Sequence, residues 1–202
     1  MTAGAWTFLF EDLLHGLVHA MNNRLTALSA FAELAAMDGE AIDEPVVRQE
    51  VTCLHQVSKL IGVLATRYSE VEALELRGVL ETALTIHLHH PRTRTVSCTI
   101  EQHGLVLPVR VPRSALLRLL LLMVDLAKRA GTASADGSVV VRLSGDEQVV
   151  RADIVSAEPL GNDAENLAAQ CGGVVTYDAG RCRFELPSLV ELRRREKLQS
   201  VE

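Results

Sequence analysis

From Leu14 onward, apolar residues recur at Leu14, Val18, Met21, Leu25, Leu28, Ala32 and Ala35. The alternating steps of four and three predict a helix with one apolar seam, lying nearly parallel or antiparallel to its neighbours. Asp38-Gly39 breaks the pattern, and Asp43-Glu44-Pro45 supplies a new helix start with proline in the first turn. Val47, Leu54, Val57, Ile61, Leu64 and Tyr68 carry a second stripe to about residue 69. The two helices form a hairpin. A lone hairpin buries too little, so a second copy completing a four-helix bundle is the expected solution.

After Tyr68 the pattern changes. A third helix is predicted over 76–90, then a period-two strand over Thr95–Ile100, bounded by Pro91 and Gly104. Pro112-Arg113-Ser114 opens a strongly apolar helix that Gly131 stops. Ser138–Leu143 and Val149–Val155 read as strands joined at Gly145-Asp146-Glu147. A short helix over 163–170 ends at Gly172-Gly173, and Val174–Tyr177 with Arg181–Leu186 form a last hairpin around Asp178-Ala179-Gly180. A charged helix or tail follows Pro187. The expected class is α+β: a helical hairpin over residues 1–70 and an α/β layer over 71–202, with no linker between them.

Composition narrows the function classes. Apolar residues make up 48% of the 202 and aromatics only 3%, so the core is aliphatic. The formal net charge of −6 disfavours nucleic acid, which needs a basic face. Arg92–Arg94 and Arg193–Arg195 read as solvated surface charge. The Leu-rich run 116–122 is too short for a bilayer, is interrupted by Arg118 and is closely followed by Asp125, so no membrane partner is expected. Cys53, Cys98, Cys171 and Cys182 show no paired spacing and read as buried thiols of a cytoplasmic protein.

His19 is the candidate for chemistry. It stands beside the seam residue Val18, so it projects from the bundle flank, within reach of a partner. A neutral imidazole is a competent nucleophile near pH 7, and its phosphoryl adduct is labile. Taken alone, a helix histidine of this kind is more often an ordinary surface residue. His15, one turn earlier, reads as surface or packing. His87, His89 and His90 cluster at a helix end without a cysteine or carboxylate at zinc spacing, so no metal site is expected.

The segment His19-Ala20-Met21-Asn22-Asn23-Arg24-Leu25-Thr26-Ala27 resembles the phospho-acceptor box of bacterial two-component histidine kinases. That box commonly reads His, an acidic residue, an apolar residue, Asn-Asn, any residue, Leu-Thr-Ala. Two positions depart from it. Ala20 stands where active kinases carry the carboxylate that assists attack on ATP, and Arg24 stands where proline is common.

Residues 111–187 resemble the ATP-binding domain of the same kinases in eroded form. Leu126 falls where the family places its Mg²⁺-binding Asn, with Asp125 beside it. After Val155 the chain reads Ser156-Ala157-Glu158-Pro159-Leu160-Gly161, without the family's Asp and paired glycines, and the lid segment is missing. The structural end persists, in Leu167–Val174 and Arg181–Pro187.

A kept acceptor with a lost nucleotide site resembles the dimeric histidine phosphotransferases of bacterial phosphorelays. The resemblance implies a homodimer, a degenerate ATPase-like α/β sandwich, and no ATP or metal cofactor of the chain's own. It implies response-regulator receiver domains as partners, with the receiver bringing aspartyl phosphate and Mg²⁺, and admits a hybrid histidine kinase. His19 is then the nucleophile and transient carrier, Asn23 a positioning group, and Thr26 a weaker candidate. The alternative is a pseudokinase-like dimeric module that binds signalling proteins without being phosphorylated.

Overall fold

A computed structural model of the chain describes residues 4–38, 44–132, 138–156 and 158–199. Helices α1 (Ala5–Asp38) and α2 (Glu44–Ala65) form the hairpin; its turn, with Gly39 and Asp43, lies outside the described residues. Then come β1 (Val71–Leu74), α3 (Leu76–His87), β2 (Ser97–Gly104), β3 (Val109–Pro112) and α4 (Arg113–Gly131). The chain ends with β4 (Ser138–Gly145), β5 (Val149–Val155), α5 (Asn162–Gln170), β6 (Val174–Asp178), β7 (Arg181–Pro187) and α6 (Leu189–Gln199). The chain is α+β, with five strands in the order β2-β4-β5-β7-β6 and a separate β1-β3 pair.

The pair β2-β4 is parallel and the other neighbours are antiparallel. A parallel pair needs a crossover, and β3 with α4 supplies it. Val141, Leu143, Val150, Ala152, Ile154, Cys182, Phe184 and Leu186 alternate onto the helix-covered face and are buried. The other face carries a charged row across four strands. Glu101 pairs with Arg142 at 3.0 Å, Asp153 with Arg183 at 2.7 Å, and the register sets all four side by side. That row keeps the second face wetted.

Helix α4 is apolar nearly all round because it is covered all round, by the sheet, α3, α5 and the hairpin root. Its own N-cap, Pro112, offers no side-chain bond. Ser69 supplies one instead, its Oγ accepting the Ser114 N–H at 2.9 Å, while Arg118 donates to the Thr66 carbonyl at 2.9 Å. This is why α2 stops at Ala65 rather than near residue 69: the segment 66–69 serves α4. Tyr68, expected on the stripe, is 90% exposed.

Two further boundaries differ from expectation. The third helix ends at His87 rather than 90, because His90 Nδ1 accepts the N–H groups of Arg92 and Thr93 and closes a turn around Pro91. The first sheet strand begins at Ser97 rather than Thr95 and runs on to Gly104. Strands β1 and β3 were not foreseen; each has only four residues, and neither alternates legibly in sequence.

The hairpin is rooted in the same core as the sheet layer. Leu9, Leu13 and Leu17 of α1 and Val57 and Leu64 of α2 are buried with α3 and α4. Higher on α1, Val18 and Leu25 of the seam are 36% and 46% exposed, and Leu34 and Met37 beyond are exposed too. In a single chain the lower third of α1 is therefore packed, while the upper seam is open.

Candidate functional site

His19 lies on the exposed face of α1, two residues beyond the last buried leucine, Leu17. Steps of 100° per residue put Asp12, His15, His19, Asn23 and Thr26 along one face. His15, His19, Asn23 and Thr26 are all exposed. The Asn23 amide Nδ2 donates to His19 Nε2 at 3.3 Å, a contact of neighbouring turns. The contact sets the Asn23 amide beside the ring nitrogen that faces the C-terminal direction of the helix. The ring is thus exposed on α1 with the Asn23 amide against one of its nitrogens.

Ala20, where a carboxylate would stand, is half-buried against the core, as is Met21. Arg24 turns to the neighbouring helix, its Nη1 reaching both Glu50 carboxylate oxygens at 3.0 and 3.1 Å. It ties α1 to α2 beside the site. Leu25 stays exposed.

Lower on the same face, α1 meets the sheet layer. Asp12 lies 3.7 Å from His90 Nε2 and 3.6 Å from Arg92. Gly16 rests directly on the His89 carbonyl: a Cβ built there would fall 1.7 Å from that oxygen. Glycine is the residue that permits such an approach. The turn after α3 therefore abuts α1 about one helical turn below His19, and Leu88 on it is 61% exposed. Neither Gly16 nor Asp12 was singled out from sequence. Both lie in the helix pattern without a mark, since their roles need a partner 70 or more residues away.

Across this junction lies the polar end of α4. Asp125 pairs with Arg129 at 2.9 Å and lies 3.7 Å from His90; Arg129 reaches Glu158 at 3.8 Å. Burial raises the Asp125 carboxyl above its ordinary value, with Arg129 opposing, and burial lowers the His90 imidazole. The first turns of α1, with Phe8, Leu9 and Asp12, close one side of a cavity of about 310 Å³ over these residues. Leu126, by contrast, is buried in the core.

In the segment after β5, Ser156 Oγ accepts the Glu158 N–H at 3.1 Å and bonds the Glu158 carbonyl at 2.6 Å, and Leu160 is buried. Ala157 lies outside the described residues. Gly161 has φ +77° and opens α5.

His87, His89 and His90 do not form one site. His87 is fully buried, Nε2 donating to the Leu121 carbonyl at 3.0 Å, and desolvation drops its imidazole to about 3. Among the described residues, no group of three or more His, Cys, Asp or Glu is arranged to hold a metal ion, and no helix is long and apolar enough to cross a membrane.

No family model and no curated protein matches the sequence. Solved structures that are similar in shape include histidine kinases. The Acinetobacter baumannii histidine kinase AdeS is 17% identical, covering 84% of this chain and 96% of its own, with a TM-score of 0.44. The cytoplasmic segment of histidine kinase QseC is 14% identical over 67% of this chain and 91% of its own, also at 0.44. Histidine kinase ThkA, solved in complex with response regulator protein TrrA, is 14% identical over 86% of this chain and 60% of its own, again at 0.44.

Proposed function

We propose that the chain is a histidine phosphotransferase, exchanging phosphoryl groups between His19 and the aspartate of a response-regulator receiver domain. The observation that supports this reading is the geometry on α1: an exposed imidazole with the Asn23 amide one turn along, 3.3 Å from its Nε2. In the forward step Nε2 attacks the phosphorus of the aspartyl phosphate in line. The N–P bond forms as the acyl O–P bond breaks, and the aspartate leaves as carboxylate. Nδ1 keeps its proton, so the phosphorylated ring is cationic and the reverse step has a good leaving group. Asn23, one turn away, releases Nε2 as the phosphoryl group arrives and donates to a phosphoryl oxygen afterwards. Positioning and charge neutralisation carry most of such a transfer. The receiver supplies its Mg²⁺.

The same reading assigns no ATP chemistry to the chain. Three observations support that. Ala20 brings no base; Asp125 and Arg129 are engaged with each other, His90 and Glu158; and α1 lies over the polar end of α4. The open seam at Val18 and Leu25 is the face on which a second copy would complete a four-helix bundle.

Incubation with a phosphorylated receiver tests the proposal. Label is expected to move to the wild-type chain as an acid-labile, base-stable adduct, and to fail to move to His19→Ala. Ala20 gives the second reading its weight: a dimeric module that binds receivers or kinases without being phosphorylated. Receiver binding by wild type and His19→Ala alike, with no label on either across several receivers, establishes that reading instead.

A further inference from the structure

At the opposite side of the hairpin root is a cavity of about 510 Å³ whose lining combines aromatic rings with two arginines and one glutamate. Trp6 and Phe10 stack at 5.9 Å in a tilted pair on α1, and Leu64 closes the apolar wall from α2. Arg118 enters from α4. Its guanidinium lies over the Trp6 ring at 5.3 Å, and Nη2 donates to the Thr66 carbonyl. These two contacts fix the group's plane. Its Nε is buried without a hydrogen-bond partner among the described residues.

Arg67 lines the same cavity, and among the described residues no carboxylate pairs with either arginine. Burial and the neighbouring Arg67 charge both lower the Arg118 guanidinium from its ordinary value. Two cations held side by side over an aromatic pair, one of them fixed in plane, favour an anion between them.

We infer that this cavity is a binding site for a small organic carboxylate with an aromatic body. The fork of a fixed guanidinium matches a carboxylate in two-point contact, and the aromatic lining selects an anion that carries an apolar body. Trp6 and Phe10 supply the faces for a ring, and the volume lies within the range of small-molecule sites. Glu11 in the lining repels a second negative charge and so favours a monoanion over phosphate. The occupant would touch α1, α2, the segment 66–69 and α4 together, so binding stiffens the joint between hairpin and sheet layer. Nothing in this inference depends on phosphotransfer through His19.

Trp6 is the single tryptophan, so its indole N–H resonance and its fluorescence report the site alone. The full chain is titrated with benzoate and phenylacetate, and with benzyl alcohol and inorganic phosphate as partial mimics. The aromatic carboxylates are expected to give a saturable shift and a rise in thermal midpoint. The two mimics, and Arg118→Met, are expected to bind about tenfold to a hundredfold more weakly, as for loss of a charged hydrogen bond. Arg67→Gln, at an exposed side chain, gives a smaller loss and decides the matter if Arg118→Met fails to fold. Absence of a saturable shift overturns the site. So does equal binding of benzyl alcohol, which would leave an apolar cavity only, or full affinity in a folded arginine variant.

Discussion

Replacing Gly16 by alanine tests the joint between the hairpin and the sheet layer most directly. The added Cβ falls 1.7 Å from the His89 carbonyl oxygen and 2.8 Å from its carbon, whereas real Cβ contacts essentially never come under 3.0 Å. The helix and the turn must therefore part by at least about 1.3 Å. Both sides of the contact are backbone, so no side chain can swing away to relieve it. Parting them loosens Leu9, Leu13 and Leu17 against α3 and α4. Overpacking of this kind costs about 1–3 kcal/mol. Alanine gains back roughly 0.5–1 kcal/mol over glycine in a helix interior, so the net expectation is a loss of about 0.5–2 kcal/mol. Gly62→Ala on α2 is the matched control, since nothing lies within 4 Å of its Cβ position. It should stabilise by roughly 0.5–1 kcal/mol through helix propensity and chain entropy. Urea midpoints followed by Trp6 fluorescence measure both. If Gly16→Ala is stabilised as much as Gly62→Ala, α1 does not rest on the His89 carbonyl and the junction is wrong.

Three other outcomes are expected. His87 is neutral when folded, at about 3, against an ordinary 6.5. The unfolded chain therefore takes the proton first, and the stability this residue contributes is full above pH 6.5 and drains between there and about 3. Urea unfolding should show an acid slope of up to about 1.4 kcal/mol per pH unit in that window, largely absent in His87→Leu; the same slope in that variant would assign it elsewhere. Ala179 and Gly180 turn the β6-β7 hairpin with φ of +46° and +78°, a turn that favours Asn-Gly. Ala179→Asn should raise stability by up to about 1 kcal/mol, and a lowered thermal midpoint would contradict that turn assignment. Asn23→Ala leaves an exposed surface and should not move the thermal midpoint, while slowing label transfer to His19; unchanged transfer rates would remove Asn23 from the step.

Much of the fold is legible because local patterns and tertiary packing agree. The alternation of β4, β5 and β7 follows from burial of one face of each strand, whereas the stripe read on α1 is partly open and the buried residues of its root are Leu9, Leu13 and Leu17. The candidate site was legible as residue types at helical spacing: His19 and Asn23, four apart, share a face on any α-helix, and so they do here. Where the structure departs from the local pattern, another part of the chain intervenes. Residues 66–69 left the helical stripe to serve the N-terminus of α4, and His90 closed its own turn instead of extending α3. Strands β1 and β3 exist because they pair with each other, across more than 30 residues of sequence.

The sequence by itself determined the periodic elements and the flank on which His19 stands, because a repeat of hydrophobicity fixes which face of an element is buried. Only the tertiary structure decided where α1 stops being packed and starts being open. The boundary lies between Leu17 and His19, set by the His89 carbonyl against Gly16 and by Asp12 against His90 and Arg92. Those contacts join residues more than 70 positions apart, and a close approach of two backbones leaves no periodic trace in either segment.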